Sequence, residues 1–102
     1  MNKEATALRQ KAAKALGNEC EICSKTFGKG FTFHHLRYRK GEKIYSDFKN
    51  SDEYNIYICP IIMRRPKDFM ILCQGHHHAV EQLKRYKKDK FNRLVRVVRN
   101  SN

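Results

Sequence analysis

The stretch 66–81, PKDFMILCQGHHHAVE, read against CEIC at 20–23 and FTFHHLRY at 31–38, decides the fold. Cys20 and Cys23 stand two residues apart, and Cys73 and His76 repeat that spacing fifty residues on. A pair so spaced can turn both donor atoms onto one tetrahedral ion, and three thiolates with one imidazole form an ordinary zinc donor set. A disulfide framework would have to use the fourth cysteine, Cys59, and would leave the histidine at the matching half-site position unexplained. Structural Zn²⁺ bound by Cys20, Cys23, Cys73 and His76 is the expectation.

Working outward, residues 4–16 carry Ala5, Leu8, Ala12, Ala15 and Leu16 near helical spacing, and Gly17-Asn18 stops the helix. Cys20 to Cys23 forms a knuckle, and Gly28 and Gly30 punctuate the turn after it. Phe31 to His34 has the alternation of a short strand, with His34 and His35 at its end and pointing to opposite faces. Residues 40–53 read as a long polar loop. Ile56, Tyr57, Ile58, Ile61 and Ile62 give residues 54–63 a strand-like look broken by Pro60, and Arg64-Arg65-Pro66 reads as a basic turn. Residues 75–88 read as a helix with Val80, Leu83 and Tyr86 on its apolar side. Phe91, Leu94, Val95 and Val98 predict a second C-terminal helix, with Asn92, Arg93 and Arg96 outward.

At 102 residues the chain is expected to form one domain, whose core is small enough that a metal staple would aid folding. Apolar residues make up 40% and Trp is absent, so Phe, Tyr, Ile, Leu and Val must build the core. No apolar run approaches 18 residues, and residues 1–16 lack the apolar stretch of a secretory signal, so no membrane span is expected. Reduced cysteines serving a metal suit a cytoplasmic compartment. The net charge of +12 favours polyanionic partners, nucleic acid first. The basic residues are spread along the chain rather than gathered in a tail, which predicts salt-sensitive phosphate contacts by the folded domain.

His77 and Glu81 lie four residues apart and share a helical face. Imidazole and carboxylate can together hold a divalent cation and leave positions for water and a phosphate oxygen. Either His34 or His35 would supply a third ligand, and the other would take a proton from attacking water. His78 has Gln82 as its helical partner and is read as structural or surface-exposed.

These motifs resemble the ββα-metal core of HNH nucleases. Members of that family show Cys-x-x-Cys, an apolar residue before His-His-Leu, a segment like Pro-x-Asp-Leu, and Leu-Cys-x-x-Cys-His-x-x-x-His. The resemblance covers roughly residues 19–83, and its middle, about 41–65, is expanded or divergent. It implies an α+β fold in which a small, treble-clef-like ββα-metal core is flanked by an N-terminal and a C-terminal helix. It also implies an endonuclease hydrolysing DNA phosphodiester bonds. On that resemblance His35 is the general base and Asp68 the residue fixing its orientation. His34 and His77 hold the catalytic ion. His76 replaces the fourth zinc cysteine, and Glu81 replaces the final catalytic histidine. A carboxylate there makes the site harder and favours Mg²⁺ or Mn²⁺. Two other classes fit parts of the pattern. One is a zinc-stapled DNA-binding module without catalysis. The other is an interaction adaptor whose Phe91, Leu94, Val95 and Val98 stripe docks on a protein partner, against the plainer reading that the stripe packs on its own domain or on a second copy in a homodimer.

Overall fold

The computed structural model describes residues 2–100. Its first helix, α1 (Lys3–Ala15), begins where Asn2 accepts a hydrogen bond from the Ala5 amide at 2.7 Å, satisfying one of the amides a helix start leaves free. Gly17 and Asn18, both at positive φ, turn the chain out of it, as the sequence predicts. Ala5, Ala12 and Ala13 are fully buried, and such small side chains let another helix approach closely.

The next element is β1 (Thr32–His35). After it, a loop and one short 3₁₀ turn (Tyr45–Asp47) lead into α2 (Ser51–Arg64). Here the structure departs from the strand-like reading of residues 54–63. Tyr54, Ile58, Ile61 and Ile62 fall on one helical face, and Ile58, Ile61 and Ile62 are buried. Asn50 caps the helix by accepting from the Glu53 amide at 2.9 Å, and Glu53 reaches back to the Lys49 amide at 3.2 Å. Pro60 sits inside the helix and forgoes one backbone bond. Packing of α2 on α1, with Ala12, Ile58, Cys59, Ile61, Ile62 and Phe69 in one cluster, outweighs that loss.

A 3₁₀ turn (Pro66–Asp68) then delivers β2 (Phe69–Leu72), which pairs antiparallel with β1. His34 lies opposite Met70 and His35 opposite Phe69. All four β2 residues are buried, because the strand runs between the α1–α2 cluster and a second cluster of Cys20, Phe31, Leu36, Met70, Ile71, Leu72, Cys73 and Val80. Helix α3 (Gln74–Glu81) follows directly, completing strand, strand and helix in the expected ββα-like order. The helix read over 75–88 is in fact two: the chain breaks at 82–84 and restarts as α4 (Arg85–Asn100).

That break folds α4 back across β1. Phe91 and Val95 pack against the second cluster, whereas Leu94 and Val98 of the same apolar stripe stay exposed. Asn92 and Arg96, expected outward, instead face the strand. Arg96 donates to the Leu36 carbonyl at 2.6 Å, and Asn92 meets His34. Each finds a buried polar partner there, which satisfies groups that would otherwise be stranded. The architecture is α+β, with terminal helices flanking a two-stranded sheet. No helix among the described residues is long and apolar enough to cross a membrane.

Candidate metal centre and the adjacent histidine cluster

The knuckle between α1 and β1 owes its shape to backbone bonds. The Cys20 amide donates to the Lys25 carbonyl and the Ser24 amide to the Cys20 carbonyl, each at 2.8 Å, with Ser24 at positive φ. The Glu21 amide donates to the Ile71 carbonyl at 3.0 Å and fixes the knuckle against β2. Cys73 is the residue before α3, so it sits beside the free amides of that helix, and His76 lies in the first turn.

Cys20, Cys23, Cys73 and His76 thus bring four donor atoms within 4.8 Å of one another. Cys23 Sγ lies 3.8 Å from Cys73 Sγ, and His76 Nδ1 lies 3.8 Å from Cys20 Sγ and 3.2 Å from Cys73 Sγ. A regular tetrahedron with Zn–S bonds of about 2.3 Å has edges of about 3.8 Å, so the donor set and its spacing fit a structural zinc ion. Burial pushes the Cys20 thiol up, but backbone amides of Cys73, Cys23 and Ile22 outweigh it and bring the group down to about 6. Thiolate character of that kind suits a metal ligand. Cys59 stands apart in α2, buried, with its thiol pushed up to about 11 by that burial. All four cysteines are free of disulfides.

One strand away, His34 is buried at the sheet end of β1 while His77 and Glu81 come from α3. Glu81 Oε1 lies 3.9 Å from His34 Nδ1 and 3.8 Å from His77 Nε2, so the carboxylate stands between the two imidazoles. Lys88 of α4 donates to the other oxygen, Oε2, at 2.9 Å, and that bond holds Glu81 below the usual carboxylate range. His34 Nε2 is 2.7 Å from Asn92 Oδ1. Burial lowers His34, against the opposing influence of Asn92 and Glu81. This group is more open than the cysteine cluster: among the described residues, only the Cys₃His set has every ligand atom within 4.8 Å of the rest. His78 is exposed.

His35 points to the other face. It stacks on Tyr38, with ring centroids 4.0 Å apart, and meets Phe69 at 4.6 Å. Burial, then the charges of His34 and Arg65, push it down to about 4 against the pull of Asp68, so the imidazole is neutral at neutral pH and a weaker base than an ordinary histidine. Asp68 is itself buried. Its Oδ2 accepts from Arg39 at 3.1 Å and Arg65 at 3.2 Å, and its carbonyl accepts from the Leu36 amide at 2.7 Å. The carboxylate facing His35 Nε2 is Glu42, whose Oε2 lies 3.7 Å away and whose Oε1 is held by Arg65. His35 Nε2 and Glu42 Oε2 are both buried and lack hydrogen-bond partners in the protein.

Sequence reasoning placed His34, His77 and Glu81 together and anticipated His35 on the opposite face. It missed Glu42, Arg65, Lys88 and Asn92. Glu42 lies in a polar loop with no periodicity to mark it. Asn92 and Lys88 are polar residues on an amphipathic helix and read as solvated. No protein-family model, curated protein or solved structure matches the chain.

Proposed function

We propose that the protein is a metal-dependent endonuclease that hydrolyses DNA phosphodiester bonds by an HNH-type mechanism. The observation that carries the reading is the convergence of His34 Nδ1 and His77 Nε2 on Glu81 Oε1, with His35 next along the same strand. His34, His77 and Glu81 would hold a Mg²⁺ or Mn²⁺ ion, which supplies positive charge to the phosphate and the leaving 3′-oxygen. His35, neutral at neutral pH, would take the proton of the attacking water, which requires its ring to turn from Glu42 toward the ion side of the strand. Asp68 supports it in two ways: its negative charge favours the imidazolium formed in that step, and it shares Arg65 with Glu42, which fixes the wall around the imidazole. Cys20, Cys23, Cys73 and His76 would supply all four tetrahedral ligands of a zinc ion, which would act as a staple between the knuckle and α3.

Charge supports a nucleic-acid partner. With 22 Lys and Arg against 10 Asp and Glu, the surface field is strongly positive. A cavity of about 300 Å³ beside the histidines is lined by Arg37, Tyr38, Asp89, Asn92, Arg93 and Arg96, and the guanidinium groups, which outnumber the one carboxylate, suit backbone phosphates.

Supercoiled plasmid incubated with the zinc-loaded protein and Mg²⁺ or Mn²⁺ tests this. Wild type nicks, His35→Ala lowers the rate by about 10²–10⁴-fold, the range for loss of an acid–base group, and Glu81→Ala lowers it by weakening ion binding. Equal nicking by His35→Ala refutes the HNH-type mechanism, and absence of nicking with every ion refutes catalysis. Salt-dependent DNA binding without cleavage would then assign the zinc-stapled binding module instead.

A further inference from the structure

Helix α4 does more than cover the sheet. Lys88 and Asn92 lie one turn apart on its inner side, and each contacts a residue of the histidine–carboxylate cluster on the side away from its centre. We infer that Asn92 is a positioning residue: its side-chain oxygen holds His34 as the Nε2–H tautomer and so presents the Nδ1 lone pair to His77 and Glu81.

A neutral imidazole carries one proton, and the stronger hydrogen bond decides which nitrogen keeps it. His34 Nε2 to Asn92 Oδ1 is 2.7 Å, a short and well-formed bond in which Nε2–H donates. On the other nitrogen, the nearest carboxylate oxygen is Glu81 Oε1 at 3.9 Å, too far to compete for the proton. His34 is 7% exposed, so water has little access to offset that preference. The opposite tautomer would put a proton on Nδ1 and block the only lone pair that faces Glu81 and His77. It would also bring an imidazole lone pair against the Asn92 oxygen, leaving two acceptors in contact inside the protein. An amide suits the task because it accepts a hydrogen bond without adding charge beside Glu81. Partners of this kind on the far nitrogen of a metal-binding imidazole fix both tautomer and ring orientation.

The inference rests on the ion-binding reading only for its purpose, and the test separates the two. Protein loaded with zinc at the cysteine site, with ¹⁵N-labelled histidine and no second ion, is read by two-bond ¹H–¹⁵N correlation to identify the protonated nitrogen of His34. Mn²⁺ binding to the same samples is measured by titration calorimetry. Wild type shows the Nε2–H form, Asn92→Asp retains it, and Asn92→Leu becomes a mixture or inverts. The Mn²⁺ dissociation constant rises about 10–100-fold in Asn92→Leu and is recovered in Asn92→Asp. Circular dichroism confirms that each variant is folded. A wild type with the proton on Nδ1, or an Asn92→Leu protein that keeps the wild-type tautomer, overturns the inference. A wild type in the Nε2–H form that binds no Mn²⁺ upholds Asn92 and refutes the ion site.

Discussion

Removing one ligand of the Cys₃His cluster should cost most of the stability of the domain, and Cys73→Ser is the sharpest perturbation. Cys23 and Cys73 lie 50 residues apart in sequence yet 3.8 Å apart at sulfur, so a shared ion closes a loop of that length. Treated as a cross-link, it removes from the unfolded chain an entropy of about 2.1 plus 1.5R ln n, or about 14 cal/mol/K for this loop. At 25 °C that is about 4 kcal/mol before any contribution from the metal–ligand bonds themselves. A domain this size holds about 5–15 kcal/mol in all, so the loss leaves it marginal at best. Cys20 and Cys73 also belong to the buried cluster around Met70 and Val80, which would loosen with them. The assay is guanidinium unfolding of wild type with one equivalent of Zn²⁺, wild type after chelation, and Cys73→Ser, with zinc counted by elemental analysis. We expect one zinc per chain in wild type, and a drop of at least about 4 kcal/mol in the other two. Cys59→Ser, altering a thiol outside the cluster, should keep the full zinc content. Coincident unfolding curves with and without chelator, or a wild type purified without zinc, would refute the staple.

Two further perturbations address the face around His35. Arg65→Met should cost about 3–5 kcal/mol in urea unfolding, because it strands the buried carboxylate of Glu42 and leaves Asp68 to Arg39 alone. Adding Glu42→Gln should recover part of that loss, and a cost under about 1 kcal/mol would show that the ion cluster is solvated. His35 is held down to about 4 against an ordinary 6.5 by burial first. Between those values the unfolded chain binds the extra proton, so stability is present above pH 6.5 and is lost on acidification towards pH 4. The loss is about 3 kcal/mol. His35→Gln should flatten that part of the pH–stability curve, and an unchanged slope would remove His35 as its source.

The legible parts of the chain were those in which a short spacing carries a chemical demand. Two half-sites of Cys and His, with no local alternative partner, announced the metal cluster, and the His77–Glu81 spacing announced one face of α3. Helix α1 was readable from its alanine and leucine periodicity and its Gly17-Asn18 stop. Helix α2 was misread because Ile-rich runs of this length serve strand and helix alike, and Pro60 argued against a helix. The better signal lay just upstream, in the Asn50 cap and the Glu53 that answers it. Asn92, Lys88 and Glu42 were hidden for a different reason. Their partners are 7 to 58 residues away, and a polar residue seeking a buried partner looks the same in sequence as one facing water.

The pairing of α1 with α2, and of one metal half-site with the other, sets an order of events during synthesis. Helix α1 ends at Ala15, but the face it packs against begins only at Ser51, and the Cys20–Cys23 thiols wait 50 residues for Cys73. At about 5–20 residues per second the ribosome leaves that first half-site alone for roughly 3–10 s. During that interval the growing chain exposes two thiols able to oxidise or to hold a metal loosely. The α1–α2 cluster contains none of the four ligands, so if it assembles first, an ion bound at the Cys₃His set would close a partly built domain rather than seed it.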